Sequence, residues 1–145
     1  GRHLAQIEQK LDGYKVVRYT KYDCRSFESA DVLIIDCFGL LSSIYRYATV
    51  CYVGGGFGVS IHNTLEAAVW GKPVIFGPEN KKFQEAQGLK ACGGGLEITG
   101  AEDFSSIMQR FTSDPQSITE AGQQAAAFVQ QMTGATGKIL ADVQL

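Results

Sequence analysis

The sequence has no extended basic run, no long apolar run and no signal-peptide layout. No stretch of Lys or Arg exceeds two residues and the net charge is −2, which argues against a surface for the phosphate backbone of DNA or RNA. No apolar run approaches the roughly 20 residues that cross a bilayer. The sequence therefore predicts no nucleic acid partner and no membrane segment of its own.

Patterns typical of disulfides and metal sites are missing as well. No CxxC pair occurs among the four cysteines, Cys24, Cys37, Cys51 and Cys92, and three of them lie in or beside apolar, strand-like runs. We expect reduced and mostly buried thiols in a cytosolic compartment, with disulfides as the alternative. Because there are only two histidines and the acids are scattered, we expect no metal site. No Ser-His-Asp or Cys-His catalytic arrangement is readable, and we expect no cofactor.

Apolar residues make up 45% of the 145 positions, which is enough to bury a full core, so we expect one domain over residues 1–145. Strand-like and helical patterns alternate along it. The predicted strands are 16–20, 31–36, 49–53, 73–77 and 96–99. The predicted helices are 2–11, 40–48, about 62–71, 82–91, 101–112 and 115–132, with a short helical piece after a break at 134–137.

The order of these elements predicts the fold class. Continuous apolar strands joined by helical crossovers form a parallel sheet covered on both faces, so we expect an α/β protein with a Rossmann-like, doubly wound parallel sheet. Such a sheet normally begins with a strand, whereas this chain begins with a helix. We therefore expect that a strand near the centre of the sheet is missing and that the chain is a piece of a larger protein.

A glycine-rich loop follows the third predicted strand and consists of Gly54, Gly55, Gly56, Phe57 and Gly58. Glycines let the backbone approach a ligand closely, and the first turn of the helix predicted from His62 and Asn63 offers unpaired N–H groups and the positive end of its dipole. An anion such as a phosphate is expected there. Glu66 lies one turn after His62 on the same helix face. A ligand with both a phosphate and a diol satisfies both features, which predicts a nucleotide or, better, a nucleotide sugar.

Each of these residues also has a structural interpretation. The glycines could form a strand-to-helix turn that needs positive φ, and His62 and Asn63 could only cap the helix. Glu66 could be a solvated surface acid, whereas as a ligand-binding residue it would accept hydrogen bonds from two ribose hydroxyls. A dinucleotide fingerprint is a further alternative, but Ile61 stands where the third Gly or Ala of that fingerprint allows close helix packing.

The same blocks resemble the carboxy-terminal half of 3-deoxy-D-manno-octulosonic acid (Kdo) transferases. The similar segments are 52–57, 62–68, which reads His-Asn-Thr-Leu-Glu-Ala-Ala, and 71–78, which reads Gly-Lys-Pro-Val-Ile-Phe-Gly-Pro, together with Asn80 and Phe83. Residues 36–41 are similar to the family's Asp-x-x-Gly-Glu-Leu segment, with Gly39 retained and Leu40 in place of the Glu. The resemblance covers residues 1 to about 110.

This resemblance implies the carboxy-terminal half of a GT-B glycosyltransferase that moves Kdo from CMP-Kdo onto a lipid A precursor with inversion, in lipopolysaccharide biosynthesis. It implies donor contacts from the glycine-rich loop, His62, Asn63, Glu66 and Gly39, and a catalytic base in an amino-terminal domain outside this chain. The implied partners are CMP-Kdo, the lipid A precursor, that amino-terminal domain and the cytoplasmic face of the bacterial inner membrane. Two alternatives stay open: the nucleotide-sugar domain of another GT-B enzyme with a UDP donor, and a non-catalytic ligand-binding domain of the same fold.

Overall fold

The structure, a computed structural model, describes residues 2–21 and 29–133. Cys24 and the helical piece expected after the break at 134–137 lie outside these ranges. The chain divides into two compact units, Gly1–Leu41 and Ser42–Leu145. The expectation of one domain over all 145 residues stays a prediction. No helix within the described ranges is long and apolar enough to cross a membrane.

The described residues of the first unit, Gly1–Leu41, form one α-helix, two parallel strands and a short 3-10 helix. Its elements are α1 (Arg2–Lys10), β1 (Val16–Arg18), a 3-10 helix (Tyr19–Lys21) and β2 (Val32–Ile34). Val16 of β1 lies opposite Val32 of β2. Both carboxylate oxygens of Glu8 accept hydrogen bonds of 2.6 Å from the guanidinium of Arg18. This two-point contact has fixed geometry and joins α1 to β1.

The second unit, Ser42–Leu145, is built on a three-stranded sheet. Helix α2 (Leu41–Ile44) spans the division between the units, and a 3-10 helix (Tyr45–Tyr47) follows it. The elements after it are β3 (Cys51–Val53), α3 (Leu65–Ala68), β4 (Val74–Phe76), α4 (Gln84–Cys92), β5 (Gly95–Glu97), α5 (Ala101–Ser113) and α6 (Pro115–Met132). The strands are parallel and lie in the order β3-β4-β5. All three residues of the central strand β4 are fully buried, which explains its continuous apolar sequence.

Helices cover both faces of this sheet. Successive side chains of a strand point to opposite faces. On one face, Val53 of β3 joins a core cluster that includes Leu89 of α4 and Ala125 of α6. On the other face, the ring of Tyr52 meets that of Phe104 on α5 edge to face, with centroids 6.2 Å apart. The predicted α/β class, with parallel strands and helices on both faces, is thus confirmed.

The extent of several elements differs from the sequence-based prediction. Each strand is three residues long, and the described strands form two separate sheets, β1-β2 and β3-β4-β5. Among residues 2–21 and 29–133 no strand pairs with both sheets, and the expected central strand stays a prediction. The helix predicted over 40–48 is shorter, since α2 has four residues and the following turn is 3-10.

The helix predicted after the glycine-rich loop is also shorter than expected. The sequence predicts a helix over about 62–71, whereas α3 has four residues. The residue at its N-cap is Thr64, which has helical dihedral angles, and not Asn63. The reason lies in tertiary packing. The His62 N–H donates to the Gly54 carbonyl oxygen and the Ile61 side chain is buried in the core, so the residues before Thr64 belong to the loop.

The described cysteines, Cys37, Cys51 and Cys92, are free thiols. Cys51 is buried in the core, and burial raises the pKa of its thiol to about 11. Since the thiolate is the reactive form, this thiol is inert at neutral pH. Cys37 and Cys92 are half-buried, so Cys51 is the one fully buried thiol among the three described cysteines.

Candidate functional site

The glycine-rich loop, residues 54–58, lies at the carboxyl edge of the three-stranded sheet. It leaves the end of β3, and the turn of residues 77–80 leaves the end of the neighbouring strand β4. The two segments contact each other directly, because the Glu79 N–H donates to the Gly56 carbonyl oxygen at 3.0 Å. In open α/β sheets ligands bind outside this edge.

Two of the loop glycines are required by the packing of the loop itself. Gly55 and Gly56 have φ of +86° and +82°, a region that favours glycine. A Cβ on Gly55 would lie 2.3 Å from the Ser60 carbonyl oxygen, and one on Gly56 would lie 2.8 Å from the Gly77 Cα. The structural interpretation therefore accounts for these two positions without a ligand.

The other half of the loop faces open space. Gly58 has φ of +78°, and a Cβ there would meet no atom within 4 Å. A Cβ on Gly54 would meet only the His62 ring, at 3.8 Å. Residues 57–60 are all exposed, and within the described residues their backbone N–H groups donate to no acceptor. These free donors, rather than the glycines as such, are what the loop can offer to an anion.

Three of the predicted contact residues, His62, Asn63 and Glu66, lie directly after the loop. The Asn63 side chain uses its Oδ1 to accept from the Leu65 N–H at 3.0 Å, and its Nδ2 donates to Glu66 Oε1 at 3.1 Å. Within residues 2–21 and 29–133, Glu66 Oε2 accepts no hydrogen bond. The structure thus brings Asn63 and Glu66 together and leaves one carboxylate oxygen for a ligand, while the His62 side chain is exposed.

The helix that carries Glu66 contributes less to anion binding than the sequence predicts. A single turn such as α3, four residues long, aligns few peptide dipoles, so its positive end is weak. The groups at this edge that could attract a phosphate are therefore the exposed loop N–H groups. Glu66 is half-buried, and its carboxylate can accept hydrogen bonds from uncharged hydroxyl groups.

Thr64 is a residue at this site that the sequence analysis did not single out. Its side chain is fully buried, and its Oγ1 has no hydrogen-bond partner among the described residues. A buried polar atom without a partner costs on the order of 1–3 kcal/mol. Thr64 lies between Asn63 and Leu65, inside the segment 62–68 that resembles the Kdo transferases, and this position could have pointed to it.

An open apolar pocket of about 490 Å³ lies beside the loop. It is lined by Tyr52, Phe57, Ile98, Gly100, Ala101 and Phe104. Phe57, a predicted contact residue, thus belongs to the glycine-rich loop and also lines this pocket. The sequence analysis missed the other lining residues because they come from β3, the end of β5 and the start of α5, which only the sheet brings together.

Gly39, the remaining predicted contact residue, belongs to the first unit, Gly1–Leu41. It has φ of +88°, and a Cβ there would meet no atom within 4 Å. The neighbouring Phe38 side chain is fully exposed. Asp36 accepts hydrogen bonds from the hydroxyl and the N–H of Thr20, which hold the pKa of its carboxyl below the usual range. Asp36 thus ties residues 36–39 to Thr20, while Phe38 and Gly39 are exposed to solvent.

A parallel α/β sheet with a glycine-rich loop and a carboxylate at its carboxyl edge is the arrangement of Rossmann-like nucleotide-binding domains. Comparison with known proteins narrows this class, although no protein-family model matches the chain. The 3-deoxy-D-manno-octulosonic acid transferase of Aquifex aeolicus is 39% identical over 70 residues, which is 47% of this chain and 20% of that protein. The enzyme of the same name from Chlamydophila psittaci is 37% identical over 109 residues, 73% of this chain and 23% of that protein.

A solved structure gives the same relationship. The crystal structure of the C-terminal CMP-Kdo binding domain of WaaA from Acinetobacter baumannii matches with a TM-score of 0.72 and 25% identity, over 89% of this chain and 67% of that one. The chain is therefore a relative of the Kdo transferases, and the resemblance found in the sequence is confirmed. The chain spans about a fifth of the length of the curated relatives it matches.

Proposed function

We propose that this chain is the donor-binding part of a Kdo transferase and that it binds the CMP portion of CMP-Kdo at the carboxyl edge of its three-stranded sheet. The observation that carries the proposal is the match of 89% of the chain to a CMP-Kdo binding domain. The exposed loop at that edge supports it, as does Glu66 Oε2, which has no hydrogen-bond partner among the described residues.

Within this proposal each predicted contact residue has a role. The exposed N–H groups of residues 57–60 donate to the phosphate. Glu66 accepts from the ribose hydroxyls, and Asn63 holds the carboxylate in place through Oε1. His62 and Gly54 line the donor. Gly39, which lies in the first unit, stays a donor contact that the resemblance predicts. No residue of this chain acts as the catalytic base.

The reaction proposed for the whole enzyme is an inverting GT-B transfer that needs no cofactor. A hydroxyl of a lipid A precursor attacks the anomeric carbon of Kdo, the bond from that carbon to the CMP phosphate breaks, and CMP leaves with the electron pair. The base that takes the hydroxyl proton belongs to an amino-terminal domain, and that domain meets the acceptor at the cytoplasmic face of the bacterial inner membrane. Since positioning of both reactants supplies much of the rate, the 145-residue chain alone should transfer no Kdo.

Titration of the chain with CMP and with UDP, followed by NMR chemical shifts, tests the donor class. We expect CMP to bind with a dissociation constant near millimolar, about −4 kcal/mol, and to shift the amides of residues 54–66. UDP should bind more weakly. A preference for UDP would favour another GT-B donor domain, and no binding of either nucleotide would favour a non-catalytic domain of this fold.

A further inference from the structure

A buried polar network lies behind the glycine-rich loop, and the proposed function does not use it. Its centre is Asn80, whose side chain is fully buried. The Asn80 Nδ2 donates to the Gly77 carbonyl oxygen and to Glu97 Oε2, both at 2.7 Å. The Asn80 Oδ1 accepts from Gln87 Nε2 at 2.6 Å. Both the amide nitrogen and the amide oxygen of the Asn80 side chain are therefore hydrogen-bonded.

The partners come from three different elements. Gly77 begins the turn after β4, Gln87 lies on α4, and Glu97 ends β5. Lys90 of α4 completes the network with an ion pair to the same Glu97 oxygen. Because a carboxamide is the group that offers two N–H donors and an acceptor together, neither a carboxylate nor an apolar side chain can replace it at position 80.

The turn that Asn80 holds is in backbone contact with the glycine-rich loop. A Cβ on Gly77 would lie 2.8 Å from the carbonyl carbon and oxygen of Gly56. The Glu79 N–H donates to that same oxygen. Because no side chain separates the two segments, a shift of the turn must move the loop.

The geometry points to Asn80 as a positioning residue for the glycine-rich loop: through the Gly77 carbonyl and the Glu79 N–H, it sets where the loop presents its N–H groups to an anionic ligand. This role rests on the proposed function of the loop. Asn80 itself touches no ligand, because its side chain is buried between the turn, α4 and β5.

Amide hydrogen exchange of the unliganded chain tests the positioning role directly. The Gly56 and Glu79 N–H groups report the loop and the turn, and the Val74 N–H, which donates to Gly94, reports the sheet. Asn80→Ala should speed exchange at Gly56 and Glu79 about tenfold relative to Val74, since one of the hydrogen bonds that hold the turn is lost. Gln116→Ala is the matched control, because it removes an exposed carboxamide whose one partner among the described residues is Glu120.

A second variant separates positioning from simple loss of packing. Asn80→Asp keeps the shape but turns oxygens toward the Gly77 carbonyl and Glu97, so exchange at Gly56 should rise at neutral pH. The new carboxyl would face Glu97 of β5, which is hydrogen-bonded to position 80; Glu97 is in turn paired with Lys90 of α4 and feels the positive charge of Lys81. Burial and the Glu97 charge favour the protonated form, which can donate again, so exchange relative to wild type should recover as the pH falls. Asn80→Ala should show no such recovery.

Nucleotide titration of the same variants completes the experiment. Asn80→Ala should also weaken CMP binding about tenfold, because the loop N–H groups are no longer held in place for the ligand, and Gln116→Ala should not change it. Unchanged exchange at Gly56 and Glu79 would overturn the positioning role, and so would an equal rise at Val74, which would make Asn80 a general stabiliser. If the wild-type chain binds neither CMP nor UDP, the proposed function fails by itself, and the exchange data still decide whether Asn80 positions the loop.

Discussion

Thr64→Val should stabilise the chain although it removes a polar group. Thr64 Oγ1 is buried and has no partner among the described residues. In the unfolded chain water satisfies this hydroxyl, so folding carries a desolvation cost on the order of 1–3 kcal/mol. Valine has the same branched shape, so it needs no repacking and no new rotamer. We expect a gain of about 1–2 kcal/mol in the free energy of unfolding, or roughly 2–8 °C in Tm.

Urea denaturation followed by Trp70 fluorescence is a suitable assay for this gain. Trp70 is the one tryptophan of the chain. It lies in the same unit as Thr64, its indole N–H donates to the Ser42 carbonyl oxygen at 2.7 Å, and the Arg46 guanidinium lies 4.4 Å from its ring centroid. Thr119→Val, at an exposed site of α6, is the matched control and should change stability by less than about 0.5 kcal/mol. A loss of stability in Thr64→Val would show that the hydroxyl has a partner and would refute the reasoning.

Three further predictions concern the loop and its support. Glu66→Gln should weaken CMP binding by about 1–3 kcal/mol with an unchanged Tm, and wild-type affinity would return Glu66 to the surface-acid interpretation. Gly56→Ala should cost more than about 2 kcal/mol, because positive φ and a backbone clash combine, whereas Gly58→Ala should cost about 1 kcal/mol from φ alone; equal losses in urea unfolding would contradict this. The hydrogen bond from Lys90 holds the pKa of Glu97 below its usual range, so its stabilising effect is present above the unfolded-state pKa and is lost as the pH falls through the folded-state pKa. Glu97→Gln should flatten this acid-side loss in unfolding curves taken across pH.

Local patterns predicted the elements that depend on local physics. The apolar run around β4 predicted a buried central strand because a parallel strand covered on both faces has no polar side. Pro115 predicted the start of α6, since proline suits the first turn of a helix. Gly93, in the left-handed conformation after α4, ends that helix within the predicted glycine run.

The prediction was wrong where distant residues decide the conformation. The sequence cannot show that His62 donates to Gly54 or that Ile61 is buried in the core, and these two contacts confine the helix to α3. The need for glycine at position 56 likewise comes from Gly77, which is 21 residues away in the chain and touches it only through the pairing of β3 with β4.

The sequence alone determined the α/β class, the alternation of elements and the relationship to Kdo transferases, because periodicity and short motifs are properties of neighbouring residues. Only the tertiary structure decided how the site is assembled: which loop N–H groups stay free, that Asn63 holds one oxygen of Glu66, and that Asn80 joins the turn after β4 to α4 and β5. These contacts arise between segments brought together at the carboxyl edge of the sheet. Their geometry is set by strand pairing and core packing, which no local pattern encodes.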